Sequence, residues 1–135
     1  MISLEQKPVD SGFGAKSEPL EVMEDIDLSG KIALVTGGYS GIGTETSRAL
    51  VNAGCEVYTP ARRTDVALKE LEGIVPKENV VEMDLAKPKS VQNFVDDFSK
   101  QVSKLDILIN NAGVMACSEM RTPEGWELQF AVNQI

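Results

Sequence analysis

Ile32-Ala33-Leu34-Val35-Thr36-Gly37-Gly38-Tyr39-Ser40-Gly41-Ile42-Gly43 passes from a short aliphatic stretch directly into a cluster of glycines. Its first five residues have the composition of a buried strand, and Gly37 and Gly38 stop it. Beyond them Ile42, Thr46, Ala49, Leu50 and Ala53 recur at helical spacing, and Gly54 is placed to close that helix. A glycine turn between strand and helix suits an anion. Glycine accepts the positive dihedral angles of the turn and lets backbone approach a phosphate, while the helix offers unpaired N–H groups and the positive end of its dipole. The spacing Gly37-x-x-x-Gly41-x-Gly43 in this context predicts a dinucleotide site formed by Thr36, Gly37, Tyr39, Ser40, Gly41, Ile42 and Gly43. The competing reading is a glycine-rich turn with no ligand.

The alternation continues along the chain. Glu56 to Pro60 reads as a second strand, Thr64 to Gly73 as a helix with Thr64 as its N-cap, and Val80 to Met83 as a third strand. Pro88 suits the first turn of a further helix whose apolar stripe is Val91, Phe94, Val95, Phe98 and Val102. Leu105 to Ile109 is a fourth strand, and a last helix is expected from about Pro123 to the end. Strands separated by helices predict right-handed βαβ units, hence an α/β fold with a partial doubly wound parallel sheet of about four strands and helices on both faces. Residues 30–135 form that unit. Residues 1–29 carry seven acids against Lys7 and Lys16, together with Pro8, Gly12, Gly14 and Pro19, and read as an acidic, partly flexible arm with a short helix near Pro19 to Asp25.

Composition removes several classes of function. The 135 residues include no histidine, which excludes Ser-His-Asp and Cys-His nucleophile pairs and histidine metal sites. A net charge of −8 argues against nucleic acid, whose phosphates need a basic face. No apolar run approaches the length of a membrane span, and the N-terminus lacks a signal-peptide layout, so a cytoplasmic home is expected. Cys55 and Cys117 are too few and too far apart for a disulfide framework.

The run Thr36 to Gly43 resembles the Thr-Gly-x-x-x-Gly-x-Gly signature of the short-chain dehydrogenase/reductase family, in its non-extended branch. Three further features agree in order and spacing: Asp84-Leu85, Asn110-Asn111-Ala112-Gly113 and Asn133. Finer likeness, through Gly125 to Phe130, is to retinol-dehydrogenase-like and WW-domain oxidoreductase-like members. Ser11 to Gly14 also resembles, more weakly, the leader of chloroplast-envelope members. The resemblance covers residues 30–135 and implies the N-terminal half of a Rossmann domain. Asp84 and Leu85 would lie against the adenine, with a structural capping role for Asp84 as the alternative. Asn111, Ala112 and Gly113 would line the adenine-ribose side, with a plain turn as the alternative.

An NAD site places an acid at the end of the second strand to accept from the ribose hydroxyls. The resemblance puts that position at Ala61, followed by Arg62 and Arg63, whose planar guanidiniums suit a 2′-phosphate. NADP(H) is therefore expected over NAD(H), with two solvated surface arginines as the bland reading. The same missing acid argues against a methyltransferase using S-adenosylmethionine.

The family's reaction moves a hydride between the nicotinamide and an alcohol or carbonyl substrate. A serine and a Tyr-x-x-x-Lys pair move the proton, the lysine lowering the tyrosine pKa. Four positions beyond Tyr39 stands Gly43, and four beyond Tyr58 stands Arg62, so neither tyrosine fits. Ser118 comes too early to be the serine. Of the catalytic set only Asn133 has a counterpart, expected to order a water beside the lysine. The sequence stops at Ile135, in the middle of the last predicted helix. Three readings follow: a truncated reductase, a non-catalytic NADP-binding module, or a half-enzyme completed by a partner chain. This chain alone is expected to be inactive. Self-association through the exposed fourth strand or the last helix is a further expectation.

Overall fold

The computed structural model describes residues 10–135. Glu5, Lys7 and Pro8 of the acidic arm lie outside that range. The elements are α1 (Pro19–Val22), β1 (Ile32–Thr36), α2 (Ile42–Asn52), β2 (Glu56–Tyr58), α3 (Thr64–Glu70), α4 (Pro88–Gln101), β3 (Ile107–Asn110) and α5 (Leu128–Gln134). A short 3₁₀ turn, Lys77–Asn79, follows α3. The strands form a parallel sheet in the order β2-β1-β3. The register pairs Leu34 with Tyr58 on one side and with Leu108 on the other, and carries β1 through to Thr36 opposite Asn110.

Both faces of the sheet are covered, as a doubly wound arrangement requires. Side chains alternate along a strand, so Ala33, Val35 and Val57 pack with Leu50 of α2 and Ala67 of α3, joined by Leu71. Leu34 and Tyr58 point the other way and pack with Met83 and with Phe94 and Phe98 of α4. The described part of the arm does not stand clear of this body. Met23 and Leu28 pack on the first core, and the Leu28 N–H donates to the Ala53 carbonyl at 2.7 Å.

Several boundaries differ from expectation for identifiable reasons. Val80–Met83 is not a full strand, so the sheet has three strands rather than about four. Pro60 has no N–H to give β1, and pairing between β1 and β2 stops at Tyr58. On the other side the Thr59 and Ala61 N–H groups donate to the Asn79 and Val81 carbonyls, and Met83 N–H donates to Ala61, leaving only an isolated bridge from Ala61 to Glu82. Thr64 is the first residue of α3 and not its cap; Arg63 holds the cap position without a side-chain bond. The last helix begins at Leu128 because Thr122 to Trp126 closes a turn around Gly125, whose φ is 89°. Glu127 then caps α5, accepting from the N–H groups of Gln129 (3.0 Å) and Phe130 (2.8 Å), and these bonds hold its carboxyl below the usual range. Gly54, at φ 87°, ends α2 as expected: its N–H donates to Val51 and that of Cys55 to Leu50.

β3 is an edge among the described residues, and Leu108 is 56% exposed on it. Beside it an apolar groove of about 590 Å³ runs between the sheet and α4, with Leu34, Phe94, Phe98, Leu108 and Ile135 in its wall. No helix among the described residues is long and apolar enough to cross a membrane.

The N-terminal end of the sheet is pinned by Asp106. Its carboxylate pairs with Lys104 at 2.9 Å and Lys31 at 3.2 Å and accepts the Ile32 N–H at 3.0 Å. The Lys104 bond and then the Ile32 N–H hold its pKa down, from 3.8 to about 2. A folded pKa below the unfolded one contributes stability above the unfolded value, and that contribution is lost as pH falls toward the folded value. Replacing Asp106 by Asn is expected to lower Tm at pH 7, and the gap from wild type should close between about pH 4 and pH 2. Thermal melts across that range check it.

Candidate functional site

The loops that follow the strands gather at the carboxyl end of the sheet, where ligands of open α/β folds bind. They enclose a cleft of about 290 Å³. The turn after β1 contributes Thr36, Gly37, Tyr39, Ser40, Ile42 and Gly43; the segment after β2 contributes Pro60 and Arg62. Met83, Asp84 and Leu85 form a third side, and Asn111 to Val114 with Val132 form the fourth. Gly41, Arg63 and Asn133 do not line it. Pro60, Met83, Val114 and Val132 line it as well and lie outside the motif positions named from the sequence. Their position just past strand ends was the available signal.

The turn is fastened to the loop after β3. The Asn111 side-chain amide donates to the carbonyls of Thr36 (3.0 Å) and Gly37 (3.1 Å). In return the Thr36 hydroxyl accepts from the N–H groups of Asn111 and Ala112, each at 3.1 Å. Gly37 has φ 64°, and a Cβ on it would stand 2.9 Å from the Ala112 Cα. A Cβ on Gly43 would overlap the Gly37 carbonyl oxygen. Gly41 faces open space, and its φ of 53° with ψ of −129° is what calls for glycine. As the N-cap of α2 it offers no side chain; the Gly43 and Thr44 N–H groups donate to the Ser40 (3.0 Å) and Gly41 (3.2 Å) carbonyls, and that of Ile42 has no acceptor among the described residues.

Ile42, expected in the apolar stripe of α2, is 82% exposed and lies at the cleft. The buried face of α2 consists of Gly43, Ser47, Ala49 and Leu50. Ala61, taken as the place of the ribose-binding acid, is buried in the first core and bridges to Glu82. Its side chain faces away from the cleft, and Pro60 and Arg62 are the residues that reach it. Neither is an acid. Arg62 and Arg63 make no ion pair with any described residue.

Asp84 sits in its own turn. Its carboxylate accepts the Ala86 N–H at 3.0 Å and pairs with Lys87 at 3.2 Å, while its N–H donates to the Ser90 hydroxyl. It does not cap α4, whose N-cap is Lys87. A carboxylate has about four acceptor sites, so these bonds leave capacity toward the cleft. The Asn133 side chain is bonded to one residue: Oδ1 accepts the Val114 N–H and Nδ2 donates to the Val114 carbonyl, both at 2.9 Å. It ties α5 to the cleft wall.

Neither tyrosine is placed as an acid. Tyr58 donates to Glu56 at 2.8 Å and meets Phe98 edge-on at 5.0 Å. Burial, followed by the Glu56 bond, pushes its pKa up to about 12. Tyr39 lies in the turn, packed partly on the first core.

The residues present fit a dinucleotide. A Cβ on Gly113 would meet nothing nearer than Asn133 Oδ1 at 3.6 Å, so the chain's own packing does not demand glycine there. The cleft beside it supplies backbone donors, the Arg62 cation and the Asp84 acceptor, groups that suit a pyrophosphate with a nucleoside.

A parallel α/β sheet with a glycine turn at the carboxyl end of its first strand has the architecture of a nucleotide-binding α/β domain. Residues 31–135 match the family described as short chain dehydrogenase, and the chain belongs to that family. It is 38% identical over 116 residues to retinol dehydrogenase 11 of Mus musculus, covering 82% of this chain and 37% of that protein. It is 37% identical to the WW domain-containing oxidoreductase of Drosophila melanogaster, covering 91% and 32%. Among solved structures it is similar to a Pseudomonas aeruginosa RhlG/NADP active-site complex, with TM-score 0.65, 30% identity, and 80% of this chain and 44% of that one covered. It is also similar to a 3-ketoacyl-(acyl-carrier-protein) reductase from Brucella melitensis complexed with NADH, with TM-score 0.57, 30% identity, and 65% and 36% covered. The chain spans about two-fifths or less of the length of these curated relatives.

Replacing Asn111 by Ala leaves the Thr36 and Gly37 carbonyls without their side-chain donor. Stability is expected to fall by about 1–3 kcal/mol, read from urea unfolding. An unchanged unfolding midpoint would mean that the turn holds without this fastening.

Proposed function

We infer that the chain is the cofactor-binding half of an NADP(H)-dependent oxidoreductase acting on an alcohol or carbonyl substrate. The observation that carries this is the joining of a glycine turn and an Asn-Asn-Ala-Gly loop around one cleft to which the segment after β2 contributes Arg62 and no acid. When bound, the nicotinamide supplies or accepts a hydride. This chain's residues do the holding. The Ile42 N–H at the start of α2 meets the pyrophosphate, and Arg62, with Arg63 next to it in the chain, meets the 2′-phosphate. Asp84 accepts from the adenine, and Asn111 keeps the turn in shape.

Proton transfer is outside this chain's means. Tyr58 is committed to Glu56, Tyr39 belongs to the turn, and neither precedes a lysine by the family's spacing. We therefore expect no carbonyl reduction from these 135 residues alone. Losing a general acid costs about 10²–10⁴ in rate. A second reading, a binding module or a half-enzyme joined by another chain, draws support from the unpaired edge of β3 and the apolar groove beside it. A cytoplasmic home is supported by two free thiols, Cys55 and Cys117, which suit a reducing compartment.

Replacing Arg62 by Ala tests the cofactor assignment. NADPH binding should weaken at least about tenfold, some 1.4 kcal/mol, while NADH binding changes little, as read by calorimetric titration of each. Equal losses for the two cofactors would remove the 2′-phosphate role.

A further inference from the structure

Behind the glycine turn, on the side away from the cleft, two hydroxyl side chains are completely buried. Ser47 stands on the core face of α2 and Thr59 follows β2; both are 0% exposed. An apolar residue would serve packing better at either place, because a buried hydroxyl costs free energy unless it is bonded. Ser47 Oγ donates to the Gly38 carbonyl at 2.9 Å. Thr59 Oγ1 has no partner among the described residues.

Both hydroxyls crowd the same glycine. A Cβ on Gly38 would lie 2.6 Å from Ser47 Oγ and 3.1 Å from Thr59 Oγ1, with Thr59 Cγ2 at 3.0 Å. The two side chains thus fill the space that any larger residue at 38 would need. Gly38 is a glycine for that reason, since its φ is not among the positive ones.

The direction of one peptide follows. In a trans peptide the C=O and the following N–H point in opposite directions. Ser47 holds the Gly38 carbonyl toward α2, which turns the Tyr39 N–H away from α2, on a residue that lines the cleft. That N–H has no acceptor among the described residues. A carbonyl oxygen carries two lone pairs, and Ser47 uses one. The Thr59 hydroxyl, unbonded and against the same glycine, is the available donor for the second.

We propose that Ser47 and Thr59 are positioning residues that clamp the Gly38–Tyr39 peptide from behind, Ser47 in the free protein and Thr59 on nucleotide binding, so that the Tyr39 N–H is held toward an oxygen of the bound dinucleotide. This rests on the dinucleotide reading above. The unbonded Thr59 hydroxyl is a cost to the free protein that the complex recovers. The two states should therefore respond to its loss with opposite signs, which a purely structural threonine would not do.

Thr59→Val keeps the shape and removes the hydroxyl. In the full chain it is expected to raise Tm by about 4 °C or more, because a buried unbonded polar group is gone. At the same time the NADPH dissociation constant should rise about fivefold or more, and Thr59→Ser should restore it. Ser47→Ala should lower Tm and weaken binding together. The pair Gly38→Ala with Ser47→Ala should regain Tm over Gly38→Ala alone without regaining affinity. Melting curves and calorimetric titration with NADPH read all four. If the wild-type chain binds NADPH and Thr59→Val binds it equally well, the clamp is overturned and the dinucleotide reading stands. If the wild-type chain binds neither NADPH nor NADH, the dinucleotide reading falls and the clamp with it.

Discussion

The arrangement depends on one side chain reaching across 74 residues of sequence. The Asn111 amide donates to two consecutive carbonyls, those of Thr36 and Gly37, where β1 passes into the turn. A turn rich in glycine has many conformations available when free and loses more entropy than others on being fixed. The fastening comes from the neighbouring strand rather than from the turn itself. It can do so because the β1–β3 register runs to Thr36 opposite Asn110, which delivers the next residue to the turn. Gly43 completes the fit, since only a residue without a side chain lets α2 start against the Gly37 carbonyl and the Asn111 amide. The strand pairing, the close approach and the cleft are one structure.

What was legible in the sequence was local. β1, the turn, the Gly54 stop of α2 and the Pro88 start of α4 all follow from dihedral preferences and periodicity within a few residues, and the structure has them in place. What escaped was set by neighbours. Pro60 reads as the end of a strand, yet its effect is to halt pairing with β1 while the opposite side of the same segment keeps hydrogen bonds to Asn79 and Val81. Val80–Met83 has strand composition and is left with one bridge. Ala61 could be matched to a family position, but burial in the first core decides where its side chain points. Ile42 belongs to the helical period of α2 and is nonetheless exposed, because the helix begins at the cleft before its inner face meets the sheet.

Charge is distributed by function along the sheet axis. At the amino end of the strands, Lys31 and Lys104 are consumed by Asp106 and hold β1 to β3. At the carboxyl end, Arg62 and Arg63 have no carboxylate among the described residues. Net charge therefore says little about this cleft. A chain of −8 overall still presents Arg62 there with no carboxylate partner among the described residues.

The same geometry places the cleft and the two tyrosines of this chain apart in role. The lining of the cleft comes from β1, from the loops that follow the strands, from Met83 to Leu85 and from Val132 of α5. A proton donor must have an adjustable pKa and stand at the open end of the cleft. Tyr58 fails on both counts, being packed under Phe98 with its hydroxyl on Glu56 and its pKa pushed up to about 12. Parallel strands are ordinarily covered on both faces and paired on both edges, whereas β3 has an open edge and Leu108 faces an apolar groove. Polypeptide paired there would bury Leu108 and carry its own side chains to the carboxyl end of the sheet, beside Gly113 and the Asn133–Val114 tie.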